Sequence, residues 1–205
     1  MKTKIILINI VIIVGFLSCS SGKYFINYHT GNYTGLDTLI NLQGYYISQN
    51  CDRFLSKVTM FYSNGLAVNC SIEDDYPSDF LINSFKGKLK NIYVGDSWGS
   101  YVIENDTIKL QTDMQCEWYY PSGTFIEYSN FKILPDRRIQ LISNYLRGDS
   151  WHYDWKMYPD CNKPSAFFPL ETKADSTKCP LLKKKWFWNN EANRKAYMKE
   201  IKEKK

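Results

Sequence analysis

The chain has 205 residues and a formal net charge of +5, with 44% hydrophobic and 16% aromatic residues. This length corresponds to one domain with a tail. Nine of the 26 basic residues fall within residues 183–205, whereas a nucleic-acid-binding protein needs a basic face on the fold itself. Nucleic acid is therefore not an expected partner.

The first predicted element is a secretion signal. Lys2 and Lys4 precede an apolar run over residues 5–17, and small residues surround Cys19. A charged start, a short apolar run and small residues are typical of a signal peptide, and the run is shorter than the roughly 20 residues of a membrane-spanning helix. An ordinary cleavage site, with Cys19 incidental, is one alternative. The other is lipidation, because GFLSCSSG over residues 15–22 resembles the lipobox of bacterial lipoproteins of the Bacteroides group.

The resemblance implies that residues 1–18 are a lipoprotein signal peptide and that Cys19 becomes the first mature residue. An acylated Cys19 would bind membrane lipid, since two or more acyl chains give a stable anchor. Residues 19–35 would form the lipidated tether. Residues 20–23 contain no acidic run, which favours the cell envelope, at the outer membrane and facing the periplasm.

Strand signals begin after the tether. Apolar and aromatic residues predict strands over 40–48, 54–62 and 66–72, and Gly44 indicates a bulge or a close backbone approach. The Asn64-Gly65 pair predicts a tight type I′ hairpin turn, with Cys70 opposite Thr59.

A second hairpin follows at residues 98–104 and 107–112, with Asn105 and Asp106 in the turn. That turn places Ile103 opposite Ile108, so the turn and the apolar pattern agree. Further strands are predicted over residues 125–134, 139–146 and 151–158. Together, residues 36–160 predict an all-β domain in which about eight strands form an up-and-down antiparallel meander.

Four segments of this region resemble lipocalin-like domains carried by bacterial lipoproteins. They are LQGYYIS at 42–48, FYSNG at 61–65, WGSYVIENDTIKLQ at 98–111 and FKILPDRRIQLI at 131–142. The resemblance implies that the meander closes into a small β-barrel whose mouth binds a small apolar or amphiphilic ligand.

Residues 161–205 predict a cysteine-bracketed loop and a basic C-terminal helix over residues 186–205. Cys161 and Cys179 are the disulfide candidates, because disulfides form in secreted proteins. Such a bond would contribute on the order of 3 kcal/mol. Besides Cys19 there are five cysteines, so at least one stays unpaired. The chain has no CxxC motif, which excludes a thioredoxin-like redox site.

Candidate chemistry elsewhere is sparse. His152 with Asp149 and Asp154 is too small a group for a zinc site, and residues 73–75 lack the spacing of a calcium loop. No Ser-His-Asp arrangement, phosphate loop or GxSxG motif is present. We therefore expect that the protein has no catalytic residue, metal or cofactor and that it is not an enzyme.

Aromatic residues are the remaining candidates for ligand binding, although they could equally fill the core. The candidate ligand-binding residues are Trp98, Tyr101, Trp118, Tyr120, Trp151 and Trp155. The resulting hypothesis is a membrane-anchored binding protein for a small hydrophobic ligand. The alternative is a non-enzymatic accessory subunit that binds an envelope protein partner.

Overall fold

The computed structural model describes residues 25–26, 29–48, 56–72, 97–115, 124–148, 155–157 and 163–203. For residues 71–72, 114–115, 124 and 155–157 it describes only the backbone. The signal peptide, Cys19 and tether residues 20–24 and 27–28 lie outside these ranges, so the predictions made for them stay predictions.

The described residues form one antiparallel sheet and two α-helices. Helix α1 is Leu36–Leu39 and helix α2 is Glu191–Glu203. The strands are β1 Gly44–Ser48, β2 Ser56–Phe61, β3 Leu66–Ile72, β4 Ser97–Glu104, β5 Thr107–Gln115, β6 Thr124–Ile133, β7 Ile139–Gly148, β8 Trp155–Met157 and β9 Ala166–Pro169. Strands β1 to β8 pair in sequence order, and β9 pairs with β1.

The predicted all-β, up-and-down meander with a C-terminal helix is confirmed. The sheet curls into a half-barrel, with β8 and β9 as the edges of its described part. Ser165, just before β9, donates its backbone N–H to the carbonyl of Ile139 at the start of β7 (2.7 Å). This bond joins residues near opposite edges of the sheet and stabilises its curvature.

The β2–β3 hairpin differs from its prediction by one residue. Val58 lies opposite Cys70, and Thr59 lies opposite Asn69. The loop has three residues, 63–65, and ends at Gly65 with φ +84°. A left-handed glycine at the end of a three-residue loop is a common alternative to the two-residue turn, so the predicted type I′ register was wrong.

The β4–β5 hairpin has the predicted register. Ile103 pairs with Ile108 and Tyr101 with Leu110. Asn105 adopts a left-handed conformation, with φ 57°, which asparagine tolerates better than most residues. Here the turn chemistry and the alternation of apolar side chains specify the same pairing.

Strand β9 lies in a segment that was predicted to be a loop. Its four residues include Phe167 and Phe168, and Pro169 ends it at the edge of the sheet, where proline is tolerated. The expected close approach at Gly44 is confirmed. A Cβ on Gly44 would lie 2.2 Å from the carbonyl oxygen of Phe168, so only glycine allows β1 and β9 to pair this closely.

The C-terminal segment covers the outer face of the sheet. Short 3₁₀ turns at Pro180–Lys183 and Lys185–Phe187 precede α2, which is therefore shorter than predicted. Leu181, Phe187 and Trp188 are buried against outward-facing residues of the strands. Within the ranges given above, no helix is long and apolar enough to cross a membrane.

Candidate functional site

Side chains on the inner face of the half-barrel divide into two groups along the strands. Tight turns at 62–65, 105–106 and 134–138, together with α1, lie at what we call the closed end. The connections 49–55, 73–96, 116–123 and 149–154 join the strands at the other end, the open end, and lie outside the described residues.

The closed end is packed with apolar side chains. Phe61 is 1% exposed and packs edge-to-face against Tyr101 and Phe131, with ring centroids 5.4 and 5.7 Å apart. The cluster of buried residues there comprises Leu36, Ile40, Tyr46, Phe61, Ala67, Tyr101, Ile108, Leu110, Phe131 and Ile139. This part of the interior is a core.

Tyr101 and Trp98, two predicted ligand-binding residues, do not share a face. The Tyr101 hydroxyl donates to the Tyr62 carbonyl (2.6 Å) and lies 2.7 Å from the Thr34 hydroxyl oxygen, so it is fixed within the closed end. Trp98 stacks on Tyr62 on the outer face, with centroids 5.8 Å apart. Neither side chain adjoins the polar groups of the open end.

The structure does not test the other four aromatic candidates. Trp118, Tyr120 and Trp151 lie outside the described residues, and only the backbone of Trp155 is described, in β8.

Polar side chains occupy the inner face toward the open end. Five of them contact one another around a single carboxylate, and we call them the Glu127 cluster. Its members are Lys57 on β2, Asn69 on β3, Thr112 on β5, Glu127 on β6 and Asn144 on β7. Each is at most 7% exposed. Strand pairing explains the convergence, because alternate residues on curled neighbouring strands point into the same interior.

Hydrogen bonds to Glu127 come from several strands at once. Asn69 Nδ2 donates to Oε2 (2.7 Å), Asn144 Nδ2 donates to Oε1 (3.0 Å), and Thr112 Oγ1 lies 3.4 Å from Oε2. Lys57 Nζ forms an ion pair with Oε1. The carboxylate is therefore surrounded by donors, which is how a buried charge is made tolerable.

Burial lowers the pKa of Lys57 to about 7. Desolvation is the cause, because it disfavours the charged ammonium, whereas direct contact with the Glu127 carboxylate favours it. The pair thus places a basic and an acidic group in contact inside the sheet.

The predicted disulfide between Cys161 and Cys179 is contradicted by the state of Cys179. It carries a free thiol that is 2% exposed, so the expected Cys161–Cys179 bond is not present in the structure. Cys161 itself lies outside the described residues. Burial raises the pKa of the Cys179 thiol to about 12, which makes it a poor nucleophile. It packs between the outer face and the C-terminal segment as a small apolar residue.

His29 is a buried group with unusual surroundings. It is 2% exposed, stacks on Phe187 with ring centroids 5.3 Å apart, and meets Trp188 edge-on at 4.8 Å. Its Nε2 has no hydrogen-bond partner among the described residues, and burial lowers its pKa to about 4. His29 was predicted to lie in a tether, but it is part of the outer core beside the closed end.

The side chains of the Glu127 cluster were missed in the sequence, although a signal was there. Lys57, Asn69 and Glu127 lie on strands that carry apolar residues at the closed end, and their parity matches that of Phe61, Ala67 and Phe131 there. A polar or charged residue at a strand position that alternation assigns to the apolar face is the feature that would have identified these side chains.

No group of three or more His, Cys, Asp or Glu residues in the described part of the chain is arranged to hold a metal ion. No protein-family model matches the chain, and neither a curated protein nor a solved structure matches it.

Proposed function

We propose that the chain is a lipid-anchored envelope lipoprotein whose half-barrel binds a small amphiphilic ligand, and that it is not an enzyme. In this proposal Cys19 is acylated and holds the protein at the periplasmic face of the outer membrane. The polar group of the ligand binds at the Glu127 cluster, and the ligand enters from the open end.

The observation that carries the proposal is a buried ion pair in the polar half of the interior, next to a closed end that is packed with apolar side chains. Replacing a buried ion pair with apolar residues of similar volume is often neutral or stabilising. Stability alone therefore gives no reason to keep Lys57 and Glu127 inside the sheet, and recognition of a polar ligand group does. The filled closed end limits such a ligand to the open half of the interior.

Native mass spectrometry of the protein purified from membranes tests ligand binding. We expect a co-purifying small molecule on the wild-type chain and its loss from the Glu127→Gln variant, because the amide cannot pair with Lys57. Glu104→Gln is the matched control, since Glu104 also pairs with a lysine, Lys109, but on an exposed turn. It should keep the molecule.

An empty chain in all three samples would refute ligand binding. If a stable protein partner co-purified with that empty chain, the accessory-subunit alternative would replace it.

The anchor has a separate test. Cys19→Ala should move the protein from the membrane fraction to the soluble fraction, because no acyl chain can then be attached. Retention of Cys19→Ala in the membrane fraction would refute lipidation at this residue.

A further inference from the structure

The first described residues lie over the outer face of strand β5. Phe25 is fully buried, with its ring centroid 5.5 Å from that of Trp186 and 5.3 Å from that of Phe187. The backbone N–H of Ile26 donates to Oε1 of Gln111 (2.9 Å). Gln111 alternates with Leu110 and Thr112, whose side chains face the interior, so the chain enters the fold on the outer side of the sheet.

Three consecutive lysines occupy the same region of the surface. Lys183, Lys184 and Lys185 are all exposed, whereas Leu182 before them and Phe187 after them are buried. Lys184 lies close enough to Asp113 on β5 for its charge to lower the pKa of that carboxyl, against the rise caused by burial. The lysine run therefore lies near β5 residues 111–113, as Ile26 does.

We propose that Lys183, Lys184 and Lys185 form a docking surface for the headgroups of anionic phospholipids. The proposal rests on the proposed anchor at Cys19, to which it adds a second membrane contact. Ile26, which is 60% exposed, supplies an apolar side chain over the same strand, β5. Lysines flanking an exposed apolar residue are the usual composition of a surface that binds anionic membranes.

The length of the tether keeps this surface near the membrane. Cys19 precedes Phe25 by six residues, and a fully extended chain of that length spans about 20 Å. An acylated Cys19 therefore keeps Phe25 within about 20 Å of the lipid surface, or about two and a half Debye lengths at physiological salt, so the lysines can reach the headgroups as the domain rotates.

In the described part of the chain, two acidic residues interact with the lysine run. Asp113 interacts with Lys184, and Glu191, which also pairs with Arg194, interacts with Lys185. The three lysines and Arg194 still outnumber these two carboxylates.

Docking in this way would also orient the half-barrel. The lysine run and Ile26 both lie near Gln111 and Asp113, whose side chains alternate with the inward-facing Thr112. The outer side of β5 would therefore face the headgroups.

Vesicle co-sedimentation of the chain from residue 20 tests the surface without any acyl anchor. This protein keeps every described residue. We expect it to bind vesicles of phosphatidylglycerol mixed with phosphatidylcholine, and not vesicles of pure phosphatidylcholine. Binding should disappear near 1 M salt, where the Debye length is about 3 Å. K183Q/K184Q/K185Q should weaken partitioning about 100-fold, since each lysine near an anionic surface contributes about fivefold.

The matched control is K195Q/K199Q/K202Q, which removes the same charge from exposed lysines of α2. It should bind within about threefold of the wild type if the lysine run is the docking surface. An equal loss in both variants, or no binding to the anionic vesicles, overturns the proposal. Neither result bears on lipidation, which the fractionation of Cys19→Ala tests independently.

Discussion

Each end of the half-barrel holds a lysine away from solvent, buried at the open end and partly buried at the closed end, and the two lysines are held in different ways. At the closed end, Lys173 Nζ donates to the carbonyls of Leu42 and Phe61 and lies 4.2 Å from the ring centroid of Tyr62. At the open end, Lys57 pairs with a carboxylate. Burial lowers the pKa of both, to about 8 and about 7.

The difference separates a structural role from a chemical one. Lys173 fixes the C-terminal segment to the strand ends through hydrogen bonds to backbone carbonyls. These carbonyls are neutral and cannot take up its proton. Lys57 pairs with an acid that also accepts hydrogen bonds from two amides, and these three partners lie on three other strands. The open end therefore holds a buried charged pair within a network of hydrogen bonds. The closed end is built for packing, and the open end keeps polar groups that packing does not require.

The largest effect is expected where the packing is densest. Phe61→Ala should destabilise the fold by about 4 kcal/mol, because it removes a fully buried ring that contacts two others. Chemical denaturation monitored by circular dichroism measures this. Ile142→Ala is the control at a strand position that is 41% exposed, and it should cost less than about 1 kcal/mol. Similar losses in the two variants would contradict a core at the closed end.

Removing one partner of the ion pair is expected to have the next largest effect. Lys57→Met should cost about 3 kcal/mol, because Glu127 is left buried and without its counter-charge. The double variant Lys57→Met with Glu127→Leu should recover most of that loss, since no buried charge remains. Both values come from denaturation curves at neutral pH.

The exposed pair provides the comparison for this prediction. Lys109→Met breaks the ion pair with Glu104 on the surface, where such pairs contribute at most about 1 kcal/mol. If the double variant were no more stable than Lys57→Met alone, the Glu127 cluster would be needed for stability itself. The case for a ligand-binding role would then be lost.

The smallest of the three effects depends on pH and concerns His29, beside the closed end. Its pKa is about 4 in the folded state and 6.5 in the unfolded state, so the unfolded chain binds more protons between these values. Stability is therefore full above pH 6.5 and falls as the pH drops. By pH 5 the loss from this group should be about 2 kcal/mol.

Comparing wild type with His29→Gln isolates this contribution from that of Asp113. Burial raises the pKa of that carboxyl, so Asp113 acts in the opposite direction. The free energy of unfolding should fall less between pH 7 and pH 5 in the variant. Identical pH dependence in both proteins would show that His29 is not buried as described.

Sequence reasoning predicted the fold more completely than the site. The meander and the β4–β5 register followed from local information, namely turn residues and alternation. The β2–β3 register failed by one residue because Asn64-Gly65 suits either a two-residue or a three-residue loop. Strand β9 was missed because its pairing with β1 joins residues more than a hundred positions apart.

The site could not be predicted because it depends on curvature. Lys57 and Glu127 lie on β2 and β6, which are not neighbours in the sheet, and only its curl brings them into contact. The aromatic residues were misleading candidates for a shared ligand-binding site, since Trp98 and Tyr101 lie on opposite faces of the sheet. The buried charges, which are rarer in strands, pointed to the interior.

Strand β9 has a consequence for how the chain is synthesised. Strand β1 carries Tyr45, Tyr46 and Ile47, and its outer backbone edge is covered only when residues 166–169 pair with it. Those residues leave the ribosome after the whole meander, so a nascent or truncated chain presents an apolar, unpaired edge. Its last strand therefore protects the protein against edge-to-edge aggregation, and export before folding would delay the need for that protection.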